Sequence, residues 1–336
     1  MATEVVKIVD PDNGSGTDYT SLSAWEAGQQ QDLVTNDRIA VAKCRCTGGT
    51  ADTTTCEVAG WTTSATQYIK IWTDPAESYR HTGKWSTGNK YRMYADALLL
   101  YVSEANHVII DGLQFGIPSS GGNNICLGTI NMTGWAHIRN NVVMAEVGAV
   151  NCSGISVWSS NQYIYNNIVI GFSDHSGTLY YGIKQQAAFP YPIAIYNNTV
   201  VDCYVGIYTN NGGDNGYDAL KNNIFYNCTT PIIGTFAAGS GYNATEDASL
   251  GASYSVSGGA TGDRTSQTFS FVGSGDYHLT ASDAGAKGHG ANLYNDAVCP
   301  FQTDIDGDDR GGSGASWDIG ADEYVAAYPY YAYAQQ

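Results

Sequence analysis

The sequence is short of charge, and of positive charge above all. Charged residues make up 14% of its 336 residues, and 15 Lys and Arg stand against 32 Asp and Glu, which gives a formal net charge of −17. Such a chain repels phosphate backbones and anionic lipid, so nucleic acid and membrane surfaces are not expected as partners. The same charge predicts repulsion of acidic polysaccharides.

Two kinds of segment are also missing. No stretch approaches 18 consecutive apolar residues, so no membrane span is predicted. The opening MATEVVKIVDPDNGSG lacks a basic start followed by an apolar run, so no signal peptide is predicted in this chain. We expect a virion or extracellular location.

What the sequence does contain is a repeated pair of asparagines inside apolar segments. HIRNNVV, IYNNIVI, AIYNNTVV and ALKNNIF place the second asparagine at Asn141, Asn167, Asn198 and Asn223, at separations of 26, 31 and 25 residues. Short β-rich runs divided by Gly, Asn, Asp and Ser at this period predict a parallel β-helix with coils of about 25 residues.

The asparagine pair has an architectural explanation. Asparagine tolerates the left-handed conformation of a sharp corner between two strands, and identical asparagines on stacked coils can form a hydrogen-bonded ladder. Asp111 and Gly112 are predicted to occupy the same place in the preceding coil. A catalytic role is not expected, because a catalytic residue is needed once.

The ends of such a solenoid must be capped. The segment YTSLSAWEAGQQQDLV predicts a short amphipathic helix with a Ser23-x-x-Glu26 capping box, and Leu22, Trp25 and Ala27 over the core. The predicted organisation is a strand and capping helix over 1–34, coils over 35–240, a loop-rich cap over 241–324 and a Tyr-rich tail over 325–336.

The cysteines follow the same phase as the asparagines. Cys126 and Cys152 each lie 15 residues before a ladder asparagine, and Cys203 and Cys228 each lie 5 after one. We expect buried, reduced thiols on adjacent coils. Cys44, Cys46 and Cys56 are the other candidates for a local disulfide or a metal site.

The C-terminal part carries a recognisable motif. TDIDGDDR (303–310) followed by DIGADEY (318–324) resembles the D-x-D-G-x-x-R and D-I-G-A-x-E ending of bacterial and phage right-handed parallel β-helix proteins. The resemblance implies an all-β, single-stranded right-handed β-helix. That superfamily includes polysaccharide lyases, glycoside hydrolases, adhesins and phage tailspikes, so it leaves the function open.

Two interpretations of the acidic motif remain. Clustered carboxylates at Asp304, Asp306 and Asp308 suit calcium, although the glycine is misplaced for an EF-hand loop. The alternative, which we favour, is a structural network around Arg310. Its predicted members are Asp304, Asp306, Arg310, Asp318 and Glu323.

Catalytic and binding candidates lie on the coils. No catalytic residue is predicted for a structural protein; for an enzyme, the best constellation is Asp174, His175, Lys184 and Asp202. Exposed tyrosines can stack on sugar rings. The candidates for carbohydrate contact are Tyr163, Tyr165, Tyr180, Tyr181, Tyr204 and Tyr208.

Two classes of function follow. The first is a non-enzymatic structural or surface β-helix, such as a phage decoration, fibre or spike protein that contacts glycans, forms a homo-oligomer or binds other virion proteins, and docks through its Tyr-rich tail. The second is a polysaccharide lyase or glycoside hydrolase of the β-helix type. Neither class requires a cofactor, apart from calcium as an option.

Overall fold

The computed structural model describes residues 2–118, 121–146, 150–159, 161–174, 180–186, 193–210 and 218–326. It shows a right-handed parallel β-helix, as the sequence predicted: three long sheets, each built from parallel strands, run the length of the chain. Within the described ranges, no helix has the length and apolarity that crossing a membrane requires.

From residue 69 to residue 236, each coil contributes one strand to each sheet in turn. Sheet 1 consists of β1 (Thr3–Val9), β2 (Arg38–Cys44), β4 (Ile69–Trp72), β7 (His107–Asp111), β10 (Trp135–Arg139), β13 (Gln162–Tyr165), β16 (Ile193–Tyr196) and β19 (Ala219–Lys221). Sheet 2 consists of β5 (Arg92–Tyr94), β8 (Gln114–Ile117), β11 (Val142–Ala145), β14 (Ile168–Ile170), β17 (Thr199–Val201), β20 (Ile224–Tyr226) and β22 (Ala244–Thr245). Sheet 3 consists of β3 (Cys56–Val58), β6 (Leu100–Ser103), β9 (Gly121–Ile130), β12 (Val150–Trp158), β15 (Tyr181–Gln185), β18 (Val205–Thr209), β21 (Thr230–Phe236) and β23 (Ser253–Val256). A short antiparallel pair, β24 (Phe271–Gly273) and β25 (Asp276–Leu279), lies in the C-terminal region.

The core is the space enclosed by the three sheets. Inward residues alternate along each strand, and the register partners Ile71, Ile110, Ile138 and Ile164 are all buried at 0% exposure. Burial of such side chains stabilises the fold by about 25 cal/mol per Å² of apolar surface. All eight cysteines are free and buried.

The asparagine pairs occupy the corner between sheet 1 and sheet 2. The first member of each pair has a positive φ, 55° at Asn140 and 54° at Asn166. The second member is buried. The side-chain Nδ2 of Asn141 donates to Oδ1 of Asn167, and Nδ2 of Asn167 donates in turn to Oδ1 of Asn198, at 3.0 Å each.

The ladder is longer than the sequence repeat. Asn198 donates to Asn223, Asn223 to Asn243 and Asn243 to Asp263, at 3.0, 3.0 and 3.2 Å. Asp111 and Gly112 were predicted to occupy the two asparagine positions, and this is wrong by one residue. Asp111 pairs with Arg139, the residue before the asparagine pair, so Gly112 (φ 77°) takes the left-handed corner position of the first asparagine.

Two expectations about the chain ends need correction. The helix α1 (Leu22–Gln29) is capped by Ser21, whose side chain accepts from the backbone N–H of Ala24, so Ser23 lies inside the helix and the predicted capping box does not form. Glu26 accepts instead from the indole N–H of Trp61. Leu22 and Trp25 are buried as expected, whereas Ala27 is exposed.

The domain boundaries also differ from the sequence prediction. β1 is already a sheet strand, paired in register with β2, and not a separate cap. At the other end, β22 and β23 continue sheets 2 and 3 beyond residue 240. The coils therefore extend to Val256, and a boundary at 240 falls inside the solenoid. The Tyr-rich tail lies outside the described residues from 327 onward.

The C-terminal region folds back along the outside of the coils, and the first asparagine of three of the four pairs holds it there, whereas that of the first pair, Asn140, donates to Asp111. Asn166 donates to the carbonyl of Thr303 at 2.7 Å, and Asn222 donates to the carbonyl of Ala291 at 2.9 Å. Asn197 donates to the carbonyls of Asp318 and Gly320, at 3.1 Å each. The two asparagines of a pair thus have different tasks: one turns the corner and binds the C-terminal region, and the other builds the ladder.

Candidate functional site

The outer face of sheet 1 carries a row of large polar and aromatic side chains. The register pairs Lys43 with Trp72, Trp72 with Asp111, Asp111 with Arg139, Arg139 with Tyr165, Tyr165 with Tyr196 and Tyr196 with Lys221. Successive members are one coil apart, roughly 4.8 Å. We call this line of side chains the outer row.

Part of the outer row is covered by the C-terminal region and part is open. Phe301 stacks on Tyr165 with ring centroids 4.8 Å apart, and Asp296 accepts from the Tyr196 hydroxyl and from Lys221 at 3.4 and 2.7 Å. These contacts close the row over its last three coils. Trp72, Asp111 and Arg139 remain beside open space.

That space is a cleft of about 720 Å³ between sheet 1 and the C-terminal loops. We call it the sheet 1 cleft. On the sheet side it is lined by Lys70, Trp72, Arg80, Asp111, Arg139 and Tyr165, and on the loop side by Tyr294, Pro300, Phe301, Gln302, Thr303 and Asp306. A concave site with aromatic walls and a few convergent polar groups is typical of ligand-binding sites.

A charged cluster forms the floor of the sheet 1 cleft. Asp111 accepts from Arg80 Nη2 at 2.8 Å and from Arg139 Nε at 2.9 Å. Burial raises the pKa of Asp111, but the two guanidinium groups and the amide of Asn140 outweigh it, and the pKa lies below its ordinary value. Asp111 is therefore an ionised carboxylate shared between two arginines.

Lys70 is held differently. Its Nζ lies 3.4 Å from the centroid of the Trp72 ring, a cation–π contact. Burial lowers the pKa of Lys70, which the nearby carboxylate of Asp111 opposes. The ammonium group therefore rests on an aromatic face at the edge of the cleft.

Two hydrogen-bond donors in this cleft lack partners. Trp72 Nε1 and Arg80 Nε are both buried without a hydrogen-bond acceptor among the described residues. A buried N–H without a partner costs about 1 to 3 kcal/mol. Arg80 is 8% exposed, so this cost is not relieved by free access to bulk water.

Aromatic side chains continue from the cleft across sheet 1. Tyr68 and Trp135 lie 5.6 Å apart, Trp135 and His137 5.1 Å, and His137 stacks on Tyr163 at 4.7 Å between ring centroids. Burial lowers the pKa of His137 to about 4, so this imidazole is neutral at physiological pH. The outer face of sheet 1 thus carries a continuous cluster of aromatic rings, which pack edge-on and face-on against one another.

The predicted network around Arg310 is built mainly with Glu323 and the backbone. Arg310 is buried and donates to Glu323 Oε2 at 3.0 Å, to the carbonyls of Gly320 and Ala321 at 2.9 and 2.8 Å, and to Asn166 Oδ1 at 3.2 Å. The Asp318 carboxylate accepts instead from the backbone of Gly288 and Tyr324. The motif thereby fixes the C-terminal loops to the asparagine corner, next to the sheet 1 cleft.

The three calcium candidates are not arranged around one point. Asp304 Oδ1 accepts from the backbone N–H groups of Asp306, Gly307 and Asp308 at 2.9, 2.9 and 2.8 Å, and its Oδ2 accepts from Glu323 N at 3.0 Å. Its carboxylate is therefore committed to closing the turn. Asp306 points elsewhere, to His278.

A different group could hold a metal ion. Ligand atoms of His278, Asp306 and Asp322 lie within 4.8 Å of one another. Burial lowers the pKa of His278, but hydrogen bonds to Asp306 and Asp276 outweigh it and raise the pKa to about 10. A protonated imidazole has no lone pair for a metal, so at neutral pH this group is a hydrogen-bonded ion-pair cluster.

The predicted catalytic constellation is spread over sheet 3 and its corner. Lys184 is buried on β15 with its Nζ 4.3 Å from the Tyr181 ring centroid. Asp174 accepts from the backbone of Asn151 at 3.2 Å, and Asp202 accepts from the side chain of Asn227. His175 lies outside the described residues. The catalytic role of His175 stays a prediction.

The predicted sugar-binding tyrosines fall into two separate groups. Tyr163 and Tyr165 lie on the outer face of sheet 1, and Tyr165 is buried beneath Phe301. The others form a cluster at sheet 3, with contacts between Tyr180 and Tyr181, Tyr180 and Tyr204, and Tyr181 and Tyr208 at 4.6, 5.3 and 5.0 Å. The six tyrosines therefore do not form one continuous row.

Most residues of the sheet 1 cleft were missed by sequence reasoning, although a signal existed. The outer row contains the residue directly before each asparagine pair: Arg139, Tyr165, Tyr196 and Lys221. Aligning the coils on the pairs would have exposed this position. Nothing local indicated Arg80 or the loop residues, which reach the cleft from outside the coils.

Comparison with known proteins adds little to this description. No family model matches the chain, and no curated protein matches it. Among solved structures, the chain is similar to pectate lyase Pel9A with a TM-score of 0.36 and 12% identity, over 96% of this chain and 97% of that one. The β-helix assignment rests on the strand register of the chain itself.

Proposed function

We propose that this chain is a surface-exposed β-helix protein that binds a glycan chain in the sheet 1 cleft. The observation that supports this most is the open stretch of the outer row, where Trp72, Asp111 and Arg139 stand one coil apart under a wall of aromatic loop residues. Sugar rings pack on aromatic faces and hydrogen-bond to charged planar groups around them.

The architecture supports an extended ligand in place of a compact one. The aromatic cluster runs on from the cleft through Trp135, His137 and Tyr163, so several sugar units of one chain could be contacted in succession. A rigid solenoid presents such a surface without having to order a loop on binding, which reduces the entropy cost.

We further propose that the protein belongs to a virus particle, as a decoration, fibre or spike protein. The motivation is the C-terminal D-x-D-G-x-x-R and D-I-G-A-x-E motif, which resembles the ending of phage β-helix proteins. Antibody labelling of purified particles from the source of this sequence is the test. Absence of the protein from the particles would contradict this location and leave glycan binding untouched.

A second candidate function is polysaccharide cleavage by β-elimination. It is favoured by Lys70, whose pKa burial lowers, because a larger neutral fraction of the amine can accept a proton. In that reaction the amine removes the proton next to a sugar carboxyl group, a C=C bond forms and the glycosidic C–O bond breaks. The leaving oxygen takes a proton from water.

Binding and cleavage are separated by two measurements on the same material. A glycan array probed with the wild-type protein and with Trp72→Ala should show binding that the substitution removes. Tyr101→Ala, on sheet 3 and outside the candidate carbohydrate contacts, is the matched control and should bind normally. Both variants should unfold at the wild-type denaturant midpoint.

For the second candidate, each bound glycan is incubated with the protein, and the ultraviolet absorbance of unsaturated sugar ends is followed. Absorbance that grows with wild type and is lost in Lys70→Gln establishes the lyase. Binding with no new ends leaves the non-enzymatic function. If no glycan binds, or if Trp72→Ala binds as well as wild type, the proposed function is wrong.

A further inference from the structure

We propose that the glycan bound in the sheet 1 cleft is acidic, and that Arg139 binds a carboxylate of one of its sugar units. This inference rests on the proposed function, because it assigns the chemical class of the ligand in the same site. It also reverses the expectation from the net charge of the whole chain.

The local charge of the sheet 1 cleft favours an acidic ligand. The chain carries a formal net charge of −17. The sheet 1 cleft nevertheless gathers Lys70, Arg80 and Arg139, three of only 15 basic residues. The two acidic residues that line it are Asp111 and Asp306.

Those two carboxylates do not balance the three cations. Asp111 is shared between Arg80 and Arg139, and Asp306 lies 2.6 Å from His278. Counted over its lining residues, the cleft carries three cations and two carboxylates. A concave site of one sign with low-dielectric walls concentrates its field, and this field attracts anions.

The geometry of Arg139 favours a carboxylate as its ligand. Its Nε donates to Asp111 and its Nη1 donates to the hydroxyl of Tyr165, at 2.9 and 3.0 Å. These two contacts fix the plane of the guanidinium. Nη2 has no hydrogen-bond partner among the described residues, and the side chain is 32% exposed. A guanidinium held on one side and open on the other is suited to a carboxylate.

Lys70 supplies a cation that the ion-pair cluster of Arg80, Asp111 and Arg139 does not use. Its Nζ rests on the Trp72 ring, 3.4 Å from the centroid, at the edge of the cleft. A ligand with acidic groups gives this ammonium a charged partner.

The test compares ligands that differ only in charge. Binding of oligouronates of several linkages is measured by calorimetry, and each is compared with its methyl ester, which keeps the sugar backbone and removes the charge. One charge-assisted hydrogen bond is worth about 1.5 to 3 kcal/mol, so the free acid should bind about ten to a hundred times more tightly than the ester. The affinity should also fall as salt is added.

Variants locate the effect. Arg139→Gln and Lys70→Gln should each weaken binding of the acid while leaving binding of the ester nearly unchanged. Arg139→Lys keeps the charge but loses the fork, so it should recover only part of the affinity. Lys7→Gln, at a surface lysine that pairs with Asp18 and does not line the cleft, is the matched control and should bind like wild type. Lys70 makes no ion pair with any residue in the described ranges, so Lys70→Gln keeps the test valid even if Arg139→Gln folds poorly.

The outcomes separate this inference from the proposed function. If neutral glycans or the esters bind as tightly as the acids, the inference is overturned and glycan binding in the cleft stands. If sulfated glycans bind more tightly than every uronate, the assignment to a carboxylate is overturned. If acids and neutral glycans both fail to bind, the proposed function falls as well.

Discussion

The asparagine ladder should carry a measurable share of the stability, and Asn198→Ala tests it at its centre. Asn198 is fully buried, and its Oδ1 accepts from both the backbone N–H and the Nδ2 of Asn167 at 3.0 Å. Its Nδ2 donates to the carbonyls of Ile164 and Tyr196 and to Asn223 Oδ1, also at 3.0 Å. Alanine removes all five contacts.

The magnitude follows from which groups lose their partners. The N–H of Asn167 loses this acceptor inside the corner, at about 2 kcal/mol, and the three acceptors that lose a donor raise the total to about 4 kcal/mol. The net stability of a domain is only about 5 to 15 kcal/mol. Asn198→Ala should therefore lower the urea midpoint strongly at an unchanged slope.

The matched control is Asn36→Ala, at an exposed loop asparagine whose Nδ2 donates to Gln31 and to the carbonyl of Asp32. It should change the free energy of unfolding by less than about 0.5 kcal/mol. Both variants are unfolded in urea and followed by tryptophan fluorescence. Equal and small effects for the two would refute the idea that the ladder stabilises the corner.

Three further predictions concern other parts of the molecule. The pKa of His278 is raised to about 10 from its ordinary 6.5, so its stabilising contribution is complete below about pH 6.5 and is lost as the pH rises toward 10. The difference in stability between wild type and His278→Gln, measured by urea unfolding, should therefore shrink over this range. A difference independent of pH would contradict this prediction. Arg310→Met removes the contacts of Arg310 with Glu323 and Asn166, and breaking such a buried pair costs about 3 to 5 kcal/mol. Limited proteolysis should therefore cut the loops near residue 300 faster than in wild type. An unchanged cleavage rate would count against the idea that Arg310 holds the C-terminal loops on the coils. Cys126, Cys152, Cys203 and Cys228 are buried, so a thiol reagent should modify them only after unfolding, and rapid labelling of any of them in the native protein would show that these coils open.

The parts of the fold that repeat could be predicted from the sequence. Asn141, Asn167, Asn198 and Asn223 mark one corner of successive coils, and their spacing is enough to indicate parallel stacking. The predicted end of the coils, residue 240, lies too early in the chain because the composition of the last coils differs from that of the earlier ones. At the corner before Asn243, for example, Tyr242 takes the left-handed position with φ 58°, where earlier coils have asparagine.

The sheet 1 cleft could be predicted only in part. Arg139 and Tyr165 occupy a fixed position in the repeat, directly before the asparagine pair, and so were accessible to pattern reasoning. Phe301 and Asp306 reach the cleft because the C-terminal region folds back over coils more than 100 residues earlier in the chain. No local pattern encodes that contact, and it depends on the outward asparagines that bind the returning backbone.

The proposed acidic ligand runs against the expectation from net charge, for a physical reason. A total of −17 describes the average field far from the molecule. Within about a Debye length, roughly 8 Å at physiological salt, the nearest charges dominate. The proposal therefore depends on the three cations that line the cleft, Lys70, Arg80 and Arg139.

The most direct test of the central claim is a crystal structure of the protein soaked with an acidic oligosaccharide that binds in solution. A sugar ring should lie in the sheet 1 cleft beside Trp72, with a carboxylate oxygen within hydrogen-bond distance of Arg139 Nη2. A sugar chain bound at the sheet 3 tyrosines, with the sheet 1 cleft empty, would contradict it.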